Sequence, residues 1–194
     1  MDDSVLYDHY KDTVAEKNTF VNDRNRYFIL TVAGTCVLCM YAYDPLLLSA
    51  AAQSWLSQYG IKASVSGSVL LSSLWVFVLY SFVRYLQAVV TVERLYLYLR
   101  RIETQLLDVC REGEDYDSLW NGLSQTIDFL YKRIFVVAMN VALIIKSVSE
   151  CSSFSIQVAF DWVCCIAIVV LSILYWIFLK RVNGLYSEDT QQHC

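Results

Sequence analysis

Residues 66–111 read SGSVLLSSLWVFVLYSFVRYLQAVVTVERLYLYLRRIETQLLDVCR, and the change of character halfway along decides the fold. The first part, Ser66 to about Val90, is apolar enough and long enough for a membrane-spanning helix, with Arg84 near its far end. From Tyr85 onward, Ala88, Val92, Leu95, Leu99, Ile102, Leu106 and Val109 recur at alternating steps of three and four. That is an a/d seam about three heptads long. Glu93, Arg94, Arg100, Arg101, Glu103 and Asp108 lie off the seam. Neither Pro nor Gly interrupts Val69 to Arg111. The stretch therefore reads as one helix whose lower half projects well beyond the membrane, at about 1.5 Å per residue.

Three further apolar runs accompany it. Tyr27 to Tyr43 follows Arg24 and Arg26 and stops at Asp44. The segment IFVVAMNVALII lies between Lys132-Arg133 and Lys146, and Val158 to Leu179 ends at Lys180-Arg181. Together they predict an all-α integral membrane four-helix bundle with spans at about 27–43, 66–90, 132–148 and 158–179. The third run is short. It either crosses with the help of Tyr131, Ser147 and Val148 or forms a re-entrant or interfacial segment. The composition agrees with a membrane chain: 57% hydrophobic residues with one Pro and six Gly, and a mean hydropathy of +0.42. Of the fifteen Lys and Arg, all but Lys62 and Lys146 fall on one side of these spans. By the positive-inside rule that side is the cytoplasm, and both termini face it.

The cytoplasmic side is read as a helical stalk built from residues 5–26, 91–111 and 116–131. Tyr7, Tyr10, Val14 and Val21 mark one face of the first piece, with Lys17 on the same face. Tyr116, Leu119, Leu123, Ile127 and Leu130 mark the third, after the acidic link REGEDYDS. These stripes either cover one another within the chain or meet another copy or a partner. The candidate partner and oligomer residues are Leu95, Leu99, Arg100, Arg101, Ile102 and Leu106. On the outer side, Asp44-Pro45 reads as a helix cap followed by the first helical residue. Gly60 ends that short helix, with Trp55 and Tyr59 as belt residues.

Three polar residues fall inside or at the ends of spans. Arg84 either snorkels to the inner headgroups, lines an oligomer axis or meets a carboxylate. Asn140 suits an interhelical hydrogen bond or a pore constriction. Asp161 suits a helix N-terminal carboxylate, or an ion or proton role. Thr31, Thr35, Ser72, Ser73, Ser81 and the Ala33-Gly34 pair permit close helix approach. Seven cysteines form no even disulfide framework. Cys36 and Cys39 share a helix face without a His beside them, so packing is the expected role rather than redox or metal chemistry. Cys164 and Cys165 read as small hydrophobes. The acids Glu112, Glu114, Asp115 and Asp117 sit in a connecting link and read as a solvated turn. No nucleotide-binding, metalloprotease, serine-hydrolase or calcium-loop motif occurs, and a net charge of -4 does not suit direct nucleic-acid binding. The expectation is a non-enzyme without catalytic, cofactor or metal residues.

Residues 10–28 carry a polar helix ending in Asn22-Asp23-Arg24-Asn25-Arg26 that leads straight into a span. A later span carries Trp75, Arg84-Tyr85-Leu86 and Glu93-Arg94-Leu95. Over about residues 8–110 this resembles small membrane proteins of bacterial conflict systems, including SLATT-like membrane effectors and the membrane subunits of Kiwa-type anti-phage systems. The chain has two more spans than two-span SLATT-type proteins. The resemblance implies an inner-membrane component of anti-phage defence, and the small core of a three-helix cytosolic stalk favours a homo-oligomer, taken as a tetramer. It would contact membrane lipid and a cytosolic partner protein through the stalk, sensing or anchoring at the membrane. The alternative is a pore-forming effector that depolarises the membrane, with Asn140 and Arg84 along its path.

Overall fold

The computed structural model describes residues 3–60, 67–105, 129–149 and 156–192. Regular structure among them is helical throughout: α1 (Asp3–Tyr43), α2 (Pro45–Gln58), α3 (Gly67–Gln105), α4 (Phe135–Ser149) and α5 (Ile156–Gln192), with a π-turn at Leu130–Ile134 leading into α4. Two of these helices, α3 over Gly67–Leu99 and α5 over Val158–Arg181, are long and apolar enough to cross a membrane. The expected stripe at 116–127, the acidic link, Leu106 and Val109 lie outside the described residues.

The helix boundaries follow from local chemistry. Pro45 has no N–H and cannot continue the ladder of α1. The N–H of Asp44 makes the last such bond, to the Met40 carbonyl at 3.0 Å. Asp44 Oδ1 then accepts the N–H of Leu46 at 3.0 Å, which caps α2 with Pro45 as its first residue. After α2, Gly60 takes a left-handed backbone with φ +73°. Its N–H donates to the Ser57 carbonyl at 3.1 Å, a conformation that favours glycine.

The chain divides into two compact units. The first takes the described residues of Met1–Arg26, Arg84–Phe135 and Ile173–Cys194. In it α1 runs antiparallel to α3. Tyr10, Leu99 and Ile102 form a buried cluster with Leu6 and Val14 against it. The Tyr10 hydroxyl donates to Glu103 Oε1 at 3.1 Å, and His9 Nε2 hydrogen-bonds the Tyr98 hydroxyl at 2.8 Å. The buried face of α1 is the expected one at Tyr10 and Lys17 but departs from it at Tyr7, which is exposed, and at Thr13, which is buried. Lys17 sits 5.3 Å from the centre of the Tyr96 ring, so its ammonium meets an aromatic face while its stem covers apolar surface.

The π-turn belongs to the same unit. The N–H of Phe135 reaches back to the Leu130 carbonyl, five residues earlier, and this frees carbonyls that an α-helix would pair. Two phenols take them up. Tyr85 donates to the Tyr131 carbonyl at 2.6 Å, and Tyr175 to the Lys132 carbonyl at 3.2 Å. The two basic residues that read as one cationic boundary have different surroundings: Lys132 pairs with Glu93, while Arg133 is exposed beside the rings of Phe129 and Trp176.

The second unit takes the described residues of Tyr27–Val83 and Val136–Ser172. Here too α1 and α3 are antiparallel, with Tyr27 edge-on to Tyr80 at 6.5 Å. Gly34 faces α3 so closely that a Cβ there would lie 2.7 Å from Val78 Cγ2 and 3.2 Å from Phe77 Cδ1. On α3, Leu71, Trp75, Val78 and Phe82 are buried at steps of four and three. That period is continued by Tyr85, Val89 and Val92 further along the same helix.

Candidate functional site

Along α4 and α5 the second unit turns its charged and hydroxyl side chains inward, among apolar ones, and presents apolar side chains outside. On α4 the buried positions are Val136, Met139, Leu143, Lys146 and Ser147, while Val137, Val141, Ile144, Ile145 and Val148 are exposed. On α5 the buried positions include Asp161, Cys164, Cys165, Ile168 and Ser172, with Val163, Ile166 and Val170 exposed.

At the heart of this arrangement Lys146 Nζ donates to Asp161 Oδ2 at 2.7 Å. Each side chain keeps only 2% of its surface exposed. The same ammonium lies 5.1 Å from the centre of the Trp75 ring, so α3 closes over the pair with an aromatic face. Trp75 is fully buried, and its Nε1 has no hydrogen-bond partner. Lys146 therefore does not sit in an outer loop, as expected, but inside α4. Asp161 lies beyond the first turn of α5, which holds no acid, so its carboxylate answers a cation rather than helix-end N–H groups.

A second polar link joins the same helices. Asn140 Nδ2 donates to Ser172 Oγ at 2.8 Å and to the Val136 carbonyl at 2.7 Å. The Ser172 hydroxyl passes the chain on to the Ile168 carbonyl at 2.8 Å. Asn140 Oδ1 is buried without a hydrogen-bond partner. An unmatched acceptor in an apolar interior is destabilising by about 1–3 kcal/mol.

Arg84 belongs to the other unit. It is exposed on α3, where its Nη1 donates to Gln87 Oε1 at 3.2 Å. The candidate stalk surface needs correction. Leu99 and Ile102 are buried against Tyr10 of the same chain, so they are not free for a partner. Leu95 is half-buried. Arg100 and Arg101 fall on α3 outside the described side chains, and Leu106 lies outside the described residues. Cys36 and Cys39 are exposed and free, and Cys164 and Cys165 are buried and free.

Among the described residues no group of three or more His, Cys, Asp or Glu is placed to hold a metal ion. What the site offers is a charge-assisted clasp between α4 and α5. Sequence reasoning named Asp161 and Asn140 but missed Lys146, Trp75 and Ser172. Comparison with known proteins gives no match, whether by family model, by sequence to curated proteins or by fold to solved structures.

Proposed function

We propose that the chain is a non-enzymatic, multi-pass membrane protein. Four helical segments cross the bilayer, and the basic side, with both ends, faces the cytoplasm. The observation that carries this reading is the outward apolar surface of α3 and α5. Only 39% and 33% of their most apolar windows are buried within the chain. A core helix of a water-soluble protein would bury most of such a window, and apolar patches of this extent call for lipid or protein cover. The inward-facing Lys146–Asp161 and Asn140–Ser172 pairs fit the same solvent, because polar groups at membrane depth turn toward protein. With Lys146 neutralised inside the bundle, Lys62 is the one basic residue left for the outer side.

On α3 the exposed positions Ser68, Val69, Ser73, Val76, Phe77 and Tyr80 are followed by Arg84, Gln87 and Arg94, so the outer face of this helix turns cationic from Arg84 onward. α4 alone rises about 22 Å, and the π-turn below it extends the crossing toward the roughly 30 Å of a hydrocarbon core.

The working role is a homo-oligomeric membrane component that anchors or senses and passes its state to a cytosolic protein through the helices below the bilayer. Its setting in anti-phage defence rests on the sequence resemblance alone. Mutual pairing of the intramembrane polar groups favours a closed bundle over an open pore. Reporter fusions after residues 62, 113, 152 and 194 test the topology, with the first and third expected outside and the others inside. Reconstitution into liposomes tests the role. Ion flux abolished by Asn140→Leu would replace the anchoring reading with the pore.

A further inference from the structure

The geometry points to a binding site for an anionic phospholipid headgroup in the first unit, between the π-turn and α5. It rests on the membrane reading above and adds a ligand class and the residues that hold it. A cavity of about 320 Å³ is lined by Arg133, Trp176, Ile177, Leu179 and Lys180. Among these described residues two are cations and none is acidic, and the rest supply an indole and aliphatic surface.

The placement on α5 is specific. The outward positions Val170, Ile173, Leu174 and Ile177 are apolar, and the next are Lys180 and Arg181. The cavity therefore lies where the outer face of this helix changes from hydrocarbon-compatible to cationic. That is the depth at which a lipid phosphate meets protein, with its acyl chains along Ile173 and Ile177. Arg133 is available because the π-turn directs Lys132 to Glu93 instead. Its guanidinium lies against two rings, 5.5 Å from the centre of Phe129 and 5.7 Å from that of Trp176. Contact with the rings restrains the planar fork while leaving its N–H edge to donate to phosphate oxygens. Basic pockets between helices on the cytoplasmic side take lipid headgroups for this reason.

The test uses the full chain in bilayer nanodiscs, titrated with phosphatidylglycerol or with phosphatidylcholine of the same acyl chains, and read by native mass spectrometry after release. Inorganic phosphate is a third arm. The expected result is retention of phosphatidylglycerol over phosphatidylcholine. At about 1 kcal/mol per interfacial cation, Arg133→Gln or Lys180→Gln lowers that preference about five-fold and the double variant about thirty-fold. Arg26→Gln/Arg84→Gln, which removes the same charge elsewhere, leaves it within two-fold. Equal loss in both double variants means diffuse surface attraction and overturns the site. Retention matched by free phosphate overturns the lipid as its ligand. A wild-type chain that enters no bilayer overturns the membrane reading and the site together, whereas insertion without lipid preference overturns the site alone.

Discussion

Removing one member of the Lys146–Asp161 pair gives the sharpest test of the polar interior. At 2.7 Å the attraction between unit charges is about 6 kcal/mol for an effective dielectric near 20. Stripping water from two ions opposes this by several kcal/mol each, so the pair as a whole is close to neutral for stability. Its halves are not. Asp161→Leu strands a buried ammonium under the Trp75 ring, and Lys146→Met strands a carboxylate. Each is expected to destabilise the fold by about 3–5 kcal/mol. The double variant leaves no charge behind and is expected within about 1 kcal/mol of the parent, or above it. The assay is reversible unfolding of the detergent-solubilised protein, followed by tryptophan fluorescence, since Trp75 lies 5.1 Å from the ammonium. A double variant as damaged as the sum of the singles would refute the clasp. So would singles that leave stability unchanged.

Three other perturbations probe the packing on which this reading stands. Gly34→Ala drives a Cβ to 2.7 Å from Val78 Cγ2 and should destabilise by about 1–3 kcal/mol. Adding Val78→Ala removes the struck methyl and should recover most of that loss in the same unfolding assay. Tyr85→Phe deletes the donor to the Tyr131 carbonyl and should destabilise by about 1–3 kcal/mol. Faster amide exchange confined to 131–136 would mark the π-turn as the part released. Leu99→Ala opens a cavity beside Tyr10 and Ile102, at about 2–5 kcal/mol. Early trypsin cleavage at Lys11 and Lys17 should report α1 leaving α3, and unchanged protection there would show that the cluster is not what holds them.

The long helices were legible because their period is written in the chain. The a/d steps of α3 place Val92, Leu99 and Ile102 inward, where the structure buries them. Asp44-Pro45 announces the end of one helix and the cap of the next through chemistry that needs no tertiary partner. The π-turn was not legible for the opposite reason. It depends on hydroxyls from Tyr85 and Tyr175, which come from helices far away in sequence. The stripe on α1 failed by one position: Leu6 rather than Tyr7 packs on the cluster. Lys17 lay on the expected stripe, but the aromatic face of Tyr96 that receives it there comes from a helix far away in sequence.

The ion pair is the more instructive miss, because its signal was present. Reading a charge at the end of an apolar run as the edge of a span sent Lys146 to a loop. The period of α4 says otherwise: Val136, Met139, Leu143 and Lys146 advance by three, four and three, so the lysine continues the buried stripe rather than ending it. Asp161 heads the matching stripe of α5, followed by Cys164, Ile168, Ser172 and Tyr175 at steps of three and four. Two charges of opposite sign, each in phase with the inward face of its helix and close to a short connection between antiparallel neighbours, must either meet or strand a buried ion. Since stranding one is destabilising by about 3–5 kcal/mol, the phase of the apolar pattern is a better guide to a charge in an apolar helix than its distance from the end of the run.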